Sequence, residues 1–490
     1  MRRCTICLFA MLLVLLCVVP LFAQPGVAWN TTFGGPDGDW CWGIGSRQTV
    51  DGGFIMIGST ESEGAGEPTD ILLVRADEDG TELWSATFGQ PGQWEEGVSV
   101  LPDGDGGYTV CGFIDMEDPV SDSLVFIRTD ANGVELSRVT HSAVGGYNEF
   151  NGAKRTSDGG IIAVGELDDY FFLLRLDGDL EILWWETFGG DGIDDDGFDV
   201  IELSSGGFAG VGYNRSSSAN EDQDFWLIVV DGNGALQWDA TYGDGNEQEA
   251  SVVLETTDGG FLIGGDAADA EGNAYAWLVR TESEGTVIWD HTFPGGGAGI
   301  WDIFSLYEDD EGSLYIGIVA VPEDLEQADE LLYKLDSGGN EVWSTTYGGD
   351  RTDLGAFVPT GDGGFALLGA TNSWGFGDMD FWLLKTEPLT SVGEGGLTDA
   401  LPAGFSVIDA YPNPFNSTVR LPFSLHRAGG VEVMVYDILG RRVATLLRGA
   451  LAAGRHEAVW SADGLAAGTY LVRLSLDGKT VASRRVSYVK

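Results

Sequence analysis

One phrase of about fifty residues occurs seven times in this chain, and it limits the possible folds more than any other feature. Its plainest copy contains the corner Asp51-Gly-Gly-Phe54, an apolar run from Asp70 to Arg75, and the ending Thr87-Phe88-Gly89. Related corners are 47 to 54 residues apart and begin at Asp51, Asp105, Asp158, Ser205, Asp258, Glu311 and Asp362. A steady period in this range indicates a propeller, a solenoid or another repeat array.

Each repeat contains four short strand signals separated by turn residues. The third, such as Phe225 to Val230, is apolar without alternation, which predicts a strand buried on both faces, as in radial blades that pack against one another. The fourth carries a tryptophan at a fixed register, which favours a wedge between blades over a platform for sugar stacking. These tryptophans are Trp29, Trp84, Trp184, Trp238, Trp289 and Trp343, and Ser137 takes their place in one degenerate repeat.

The two ends of the repeat region complement each other. Residues 27–33 form a fourth strand with no three strands before it, and residues 354–385 supply three strands with no fourth after them. A closed ring would let the first segment complete the last blade, whereas an open array would expose two strand edges. We therefore expect an all-β fold with a seven-bladed β-propeller over residues 24–386, followed by a smaller β-domain.

Residues 27–386 resemble secreted bacterial propeller repeats of the type W-x-x-T-F/Y-G-G, D-G-G-F and D-x-W-L-x-K, which are loosely related to quinoprotein-like and kelch-like propellers. This resemblance implies the fold. It leaves the activity open, because propellers host many unrelated functions.

The first 23 residues have the pattern of a secretory signal peptide. Arg2 and Arg3 precede an apolar run from Ile6 to Phe22, and Ala23 is small enough for cleavage. A retained membrane anchor is the alternative, and a lipoprotein box at Cys17 is disfavoured by the bulky Leu16. No later stretch contains the ~20 apolar residues that span a bilayer, so we expect no membrane span in the mature chain.

Two cysteines remain after the predicted signal peptide, Cys41 and Cys111. Two cysteines make neither a disulfide framework nor a CxxC metal site. We interpret them as small buried apolar residues, with a disulfide bond as the less favoured reading.

Charge is distributed very unevenly along the chain. Residues 24–404 contain 12 Lys/Arg and 72 Asp/Glu, whereas residues 405–490 contain 11 and 6. Such an acidic body repels nucleic acid and anionic membranes, so we expect neither as a partner. It attracts cations and basic surfaces, although solubility in a salty exterior is the simpler explanation of the charge.

The longer connections between strands are expected on one face of the propeller, where binding residues usually lie on a rigid scaffold. That face would be acidic with interleaved aromatic residues, and Trp40, Trp94 and Trp301 would be its stacking platforms. The alternative is that the acids are only solvated and the tryptophans cover blade edges. The candidate ligand-binding residues are Asp37, Asp39, Trp40, Trp94, Glu95, Glu96, Asp194, Asp195, Asp196, Trp301, Asp302, Asp350 and Asp353.

Catalytic signals are weak. The crowded Asp194, Asp195 and Asp196 would suit an acid and a base acting on a glycoside, but acidic clusters are common in so acidic a chain. No G-x-S-x-G or H-E-x-x-H motif occurs, and neither His141 nor His291 sits in a metal motif. Turns such as Asp77 to Gly80 lack the full calcium-loop pattern, and Asx turns explain them. These observations favour a non-enzymatic protein without a cofactor or metal site, and calcium binding stays open.

After a linker over residues 387–404 the composition changes, and residues 405–490 show alternating strands and Gly-rich turns typical of a small immunoglobulin-like β-sandwich. The motif residues of this segment are Tyr411, Pro412, Asn413, Pro414, Gly440, Gly468, Tyr470 and Lys490. With these residues the segment resembles the C-terminal sorting domain of type IX secretion and the similar FlgD-like immunoglobulin domains. The resemblance implies export, recognition by the secretion machinery, and release or attachment at the cell surface. Removal of the tail is also implied, although FlgD-like domains occur without that machinery.

The sequence therefore favours an exported propeller that acts as a binding or adhesion module at or beyond the cell surface, with a glycan or a surface protein as its partner. A secreted carbohydrate-active enzyme that uses acids on the long-loop face is the second reading. A structural surface protein is the third.

Overall fold

The architecture is taken from a computed structural model of the chain. The structure describes residues 24–41, 43–61, 69–90, 92–115, 123–142, 148–190, 194–215, 223–294, 300–321, 328–375, 378–389, 406–407, 418–425, 429–437, 442–451, 454–462, 468–476 and 479–488. The predicted signal peptide, most of the predicted linker, and the motif residues Tyr411 to Pro414, Gly440 and Lys490 lie outside these ranges. The part that the structure describes contains no helix long and apolar enough to cross a membrane.

Seven antiparallel sheets form the blades; six are built from consecutive strands, and the seventh also includes the first strand of the chain. Blade 1 contains β2 (Asp39–Trp40), β3 (Arg47–Gln48), β4 (Phe54–Thr60), β5 (Asp70–Ala76) and β6 (Glu82–Phe88). Blade 2 contains β7 (Trp94–Pro102), β8 (Tyr108–Asp115), β9 (Ser123–Thr129) and β10 (Glu135–Ser142), and blade 3 contains β11 (Asn148–Arg155), β12 (Ile161–Leu167), β13 (Tyr170–Leu176) and β14 (Ile182–Phe188).

The remaining blades repeat this order. Blade 4 contains β15 (Asp196–Glu202), β16 (Phe208–Asn214), β17 (Asp224–Val230) and β18 (Leu236–Tyr242), and blade 5 contains β19 (Gln248–Glu255), β20 (Phe261–Ala268), β21 (Ala274–Thr281) and β22 (Val287–Pro294). Blade 6 contains β23 (Ile300–Glu308), β24 (Leu314–Val321), β25 (Asp329–Leu335) and β26 (Glu341–Tyr347). Blade 7 contains β27 (Asp353–Pro359), β28 (Phe365–Thr371), β29 (Asp380–Thr386) and, from the start of the chain, β1 (Val27–Phe33).

The first strand of the propeller sequence closes the ring. Strand β1 pairs antiparallel with β29, with Trp29 opposite Lys385 and Phe33 opposite Phe381. The predicted seven-bladed closure is therefore confirmed. Because the pairing removes the free edge of β29, the fold does not depend on a partner chain to cover it.

Blade 1 differs from the prediction of four strands per repeat, because its innermost strand is split into β2 and β3, which both pair with β4. Gly43, which lies between the two, closely approaches β28 of blade 7. Gly43 has φ of +82°, and a Cβ there would overlap the carbonyl oxygen of Leu368. The close backbone approach, which only glycine allows, interrupts the strand.

In four blades the corner aspartate is held by a buried basic residue from the third strand of the same blade. Arg175, nearly buried, donates to both carboxylate oxygens of Asp158 at 2.6 and 2.7 Å. The same pairing joins Arg75 to Asp51, Arg280 to Asp258 and Lys385 to Asp362. In blade 4 both partners are absent, since Ser205 stands at the corner and Val229 on the third strand.

The tryptophans of the outer strands pack on the next blade. A Cβ at Gly80, Gly133, Gly234, Gly285 or Gly339 would meet the ring of Trp29, Trp84, Trp184, Trp238 or Trp289, respectively. The indole N–H of Trp84 donates to the carbonyl of Ala131 at 3.1 Å, and that of Trp184 donates to Gly232 at 3.0 Å. The predicted role as wedges between blades is therefore confirmed.

The glycine that ends each Thr-Phe-Gly or Thr-Tyr-Gly phrase makes room for an acid. A Cβ at Gly89, Gly243 or Gly348 would overlap the carboxylate of Asp70, Asp224 or Asp329, which begins the third strand of the same blade. The outer strand can therefore end against the third strand only where no side chain intervenes.

Cys41 and Cys111 are buried and free, as predicted for small apolar residues. His141 and His291 lie within β10 and β22. The Asx-turn interpretation is also confirmed, because Asp77 Oδ1 accepts the N–H groups of Asp79 and Thr81 at 3.0 and 2.8 Å.

The chain divides into two compact units, residues 1–392 and 393–490. In the second unit, β30 (Ser406–Val407), β31 (Thr418–Leu425) and β34 (Gly454–Ser461) form one sheet. The other sheet contains β32 (Gly429–Asp437), β33 (Arg442–Leu451), β35 (Gly468–Leu476) and β36 (Lys479–Tyr488). Val431, Val433 and Val435 of β32 pack in one core with Trp460 and Tyr470. Two antiparallel sheets around one core make this unit a small β-domain, and its immunoglobulin-like class stays a prediction.

Candidate functional site

Most of the predicted ligand-binding residues lie on strands rather than in loops. Strands alternate direction in each blade, so the second-to-third connections and the connections between blades share one face, which we call the long-loop face. Only Asp37, Asp194, Asp195 and Asp350 lie in its loops. The others stand at the start of the innermost strands: Asp39 and Trp40 on β2, Trp94, Glu95 and Glu96 on β7, Asp196 on β15, Trp301 and Asp302 on β23, and Asp353 on β27.

Three of these acids hold the loops between blades. Asp39, Asp195 and Asp353 are fully buried and accept backbone N–H groups from Gly35, Gly190 and Gly349 at 2.6, 3.0 and 2.5 Å. Burial raises the pKa of Asp353, and its hydrogen bond from Thr371 opposes that rise. A carboxylate that accepts a backbone N–H group of its own loop holds that loop in place.

Glu95 takes a similar buried position with a different partner. Arg138 Nη1 lies 3.1 Å from Glu95 Oε2. Burial raises the pKa of Glu95, and the nearby guanidinium group of Arg138 opposes that rise. The pair holds a charge that would otherwise be costly to bury.

The three consecutive aspartates of blade 4 turn toward different donors. Asp194 accepts from the Tyr213 hydroxyl at 2.9 Å and from Arg215 at 2.8 Å. Asp195 accepts the Arg215 backbone N–H at 2.7 Å, and Asp196 accepts from the side-chain amide of Asn151 at 3.2 Å. Each carboxylate thus has its own donors, and the acid–base role of the three stays a prediction.

The aromatic candidates are accessible to different degrees. Trp40 is 42% exposed and Trp94 is 46% exposed, whereas Trp301 is half-buried. Asp37 and Asp350 are exposed beside them on the same face. Exposed indoles on a rigid face are suited to contact with a ligand.

The innermost strands surround the axis of the ring and carry a feature that sequence reasoning missed. Each consecutive pair from β7 to β27 is in contact, and residues 43–45 occupy the gap between β27 and β7. In five of these strands one extra residue interrupts the ladder: Val98, Asn151, Phe198, Ser251 and Phe304, which we call the bulge residues. A β-bulge re-aims a side chain, and all five line one cavity on the axis.

This cavity has a volume of about 380 Å³ and two kinds of wall. Ile44, Phe113 and Phe150 join the apolar bulge residues on its wall. Glu96, Glu249 and Asp302 supply carboxyl groups, and each stands two positions before a bulge residue. Because these positions are near the starts of the innermost strands, the acids lie toward the long-loop face.

The repeat itself contained a signal for this acidic set. Glu96, Glu149, Asp196, Glu249 and Asp302 all stand two positions before the bulge in blades 2 to 6. Sequence reasoning selected Glu96, Asp196 and Asp302 and missed Glu149 and Glu249, because without the bulges their common register was not apparent.

Asp302 is a buried acid of the cavity wall. Both of its oxygens lie 2.8 Å from Ser251 Oγ, which donates to them. Burial raises the pKa of Asp302 well above its usual range, and the nearby Asp266 adds to that rise. Burial also raises the pKa of Asp266 to about 6. The two carboxyl groups therefore favour their protonated forms at mildly acidic pH.

A metal site does not emerge from the described residues. Nowhere in the described ranges do three His, Cys, Asp or Glu side chains group so that they could hold a metal ion. Calcium binding therefore stays a matter for experiment.

In the second unit, the two described motif residues are structural. Gly468 begins β35, and the buried Tyr470 packs edge-to-face on Trp460, with ring centroids 5.1 Å apart.

Comparison with known proteins assigns a role to the tail. Residues 409–487 match the family described as secretion system C-terminal sorting domain. No curated protein matches the chain.

Among solved structures the chain is similar to several proteins at low identity. These include polysaccharide lyase Uly1 (13% identical, 74% of this chain and 93% of that one, TM-score 0.47) and the WD40 domain of Toxoplasma gondii coronin (9%, 76% and 89%, TM-score 0.45). A third is the β-propeller domain of the Trilobed protease from Pyrococcus furiosus (9%, 75% and 99%, TM-score 0.40). Likenesses of this strength carry no argument about activity. The sorting-domain match and the closed ring of blades together identify an exported β-propeller protein that carries a type IX sorting tail and is delivered to the cell surface or the extracellular space.

Proposed function

We propose that the propeller is a binding or adhesion module, and that its long-loop face holds the ligand. The observation that supports this most directly is the axial cavity, which five bulge residues line and which acids border toward that face. Bulges interrupt strand pairing, so five of them aimed at one space are better explained by a ligand than by stability.

The surrounding surface supports the same role. Trp40 and Trp94 belong to neighbouring blades and are both about half exposed. Together with Asp37 and Asp350 they form an acidic, aromatic rim of the kind that binds glycans or a surface protein. Sorting to the cell surface would bring this rim to such partners.

Binding of the purified propeller to a glycan array and to whole cells, with and without calcium, tests the proposal. Trp40→Ala and Trp94→Ala should each weaken binding at least tenfold. Trp185→Ala is the matched control, because Trp185 is 51% exposed on the outer strand of blade 3 and lies away from the rim. Equal loss in all three variants, or no binding by the wild-type protein, would contradict the proposal.

A carbohydrate-active enzyme is a second candidate, and the position of the Asp302 carboxyl group favours it. This group lies on the cavity wall, and its raised pKa suits a general acid. Asp302→Asn, and alanine at Asp194 to Asp196, should then abolish turnover on a polysaccharide panel. Wild-type protein without turnover on that panel would leave the binding module as the function.

A further inference from the structure

The axial cavity has one apolar wall and one acidic wall, so its ligand must match both. Its apolar wall includes the aromatic rings of Phe113, Phe150, Phe198 and Phe304. Its polar wall is acidic, with Glu96, Glu249 and Asp302, and Asn151 links it to Asp196. No Lys, Arg or His is among the described residues that line it.

The size of the cavity suits a small organic group. Its volume of about 380 Å³ lies at the lower end of the range for small-molecule pockets, which is roughly 300–1,000 Å³. A bare metal ion would leave the aromatic wall unused. The described residues also contain no metal-binding group of three acids, histidines or cysteines.

Charge excludes anions from this space. The carboxyl groups of the wall lie within a body that has 72 acidic and 12 basic residues, so the potential in the cavity is strongly negative. A neutral sugar would gain nothing from this negative potential. An ammonium group would be attracted by it and also by the faces of the phenylalanine rings.

We propose that the axial cavity binds an alkylammonium group, with its nitrogen at Glu96 and Glu249 and its aliphatic stem along Phe198 and Phe304. The group belongs either to a free aliphatic amine or to a lysine side chain of a surface protein, which share this chemistry. Lysine-like stems bury along apolar surface while the charged end reaches acceptors, and the two walls match that division. This inference deepens the proposed binding function and rests on it.

Calorimetric titration of the purified protein tests the inference. 1,5-Diaminopentane should bind the wild-type protein, whereas 1,5-pentanediol, which has the same stem without charge, should not. Glu249→Gln and Phe198→Leu should each weaken binding at least tenfold. Glu284→Gln is the matched control, since Glu284 is exposed in the turn before the outer strand of the same blade, and it should bind as wild type does. A lysine-containing peptide and its acetyl-lysine counterpart distinguish a side-chain ligand from a free amine.

Three results would overturn the inference. The first is no diamine binding by the wild-type protein, and the second is diamine binding that both Glu249→Gln and Phe198→Leu leave unchanged. The third is calcium binding that Glu249→Gln abolishes, in a protein that does not bind the diamine. Thermal unfolding of each variant shows that it is folded, and Glu96→Gln replaces any variant that is not. If the diamine fails while Trp40→Ala and Trp94→Ala still abolish cell binding, the alkylammonium site is wrong and the proposed function stands.

Discussion

Trp29 lies opposite Lys385 across the antiparallel pair of β1 and β29, although the two residues come from opposite ends of the propeller sequence. Lys385 also forms the corner ion pair with Asp362 at 2.9 Å, and the Trp29 ring packs on Phe54 of blade 1 with centroids 6.0 Å apart. The closing strand therefore connects the last blade to the first through one ladder and one aromatic contact. The stability of the ring should depend on it.

Removal of residues 24–33 should leave the propeller unfolded or associated, because it uncovers the edge of β29 and the interface with blade 1. The loss is expected to be comparable with the ~5–15 kcal/mol by which whole domains are stable. Thermal unfolding and size-exclusion chromatography measure it. A synthetic peptide of residues 24–33 should restore the monomer, and a scrambled peptide should not. A truncated protein that melts as wild type does would show that the ring closes without β1.

The corner pairs predict a specific non-additivity. Asp158→Ser leaves the nearly buried Arg175 with only backbone carbonyl acceptors, which should cost about 1–3 kcal/mol. Arg175→Val, which copies blade 4, leaves Asp158 in water, because its side chain is 67% exposed. The double variant should therefore be more stable than the sum of the single losses predicts, by about 0.5–3 kcal/mol. Urea unfolding followed by tryptophan fluorescence measures the cycle, and strict additivity would mean that the pair does not act as a unit.

The glycine after the outer strand predicts a steric effect. Gly243→Ala should destabilise the propeller by about 1–3 kcal/mol, because the new methyl group would overlap the Asp224 carboxylate. Gly232→Ala is the matched control, since a Cβ there meets nothing within 4 Å. Comparison of the melting temperatures checks this. If both alanine variants lower the melting temperature equally, the effect comes from the backbone entropy of glycine and not from an overlap with the Asp224 carboxylate.

Most of the architecture could be predicted because the same pattern of strands and turns occurs seven times in the sequence. The complementary end segments predicted closure, and the fixed register of the tryptophans predicted wedges, since both follow from chain order and strand period. Blade 4 departs from the pattern at two positions together, Ser205 and Val229, as the members of a contacting pair would.

The site was less predictable, because its geometry depends on bulges that insert one residue without a fixed composition. Val98, Phe198 and Ser251 share a position in the fold but no side-chain chemistry. The acids of the predicted site were also chosen by sequence position. Burial and backbone contacts then separated Asp39 and Asp353, which close loops, from Glu96 and Asp302, which line the cavity.

Glu330 stands where other blades place a buried hydrophobic residue. It is the second residue of its third strand, and Ile71, Phe171, Phe225 and Phe381 are its fully buried counterparts. Its Oε1 accepts the Gly355 N–H at 2.5 Å, but its Oε2 is buried without a hydrogen-bond partner. Burial raises the pKa of Glu330 well above its usual range, the Gly355 N–H opposes that rise, and Asp353 and Asp329 add to it.

The folded protein therefore holds the Glu330 proton more tightly than the unfolded chain does, so this residue favours folding at low pH and loses that contribution as pH rises. Between the unfolded pKa of about 4.3 and the raised folded pKa, stability should fall by up to about 1.4 kcal/mol per pH unit. Glu330→Gln keeps the shape without the charge, so it should melt higher than wild type at pH 8 and close to wild type at pH 4. Comparison with the exposed Glu284→Gln at both pH values removes the contributions of the other carboxyl groups, Asp302 and Asp266 among them. If Glu330→Gln and wild type differ in melting temperature by the same amount at pH 4 and pH 8, packing and not ionisation causes the difference.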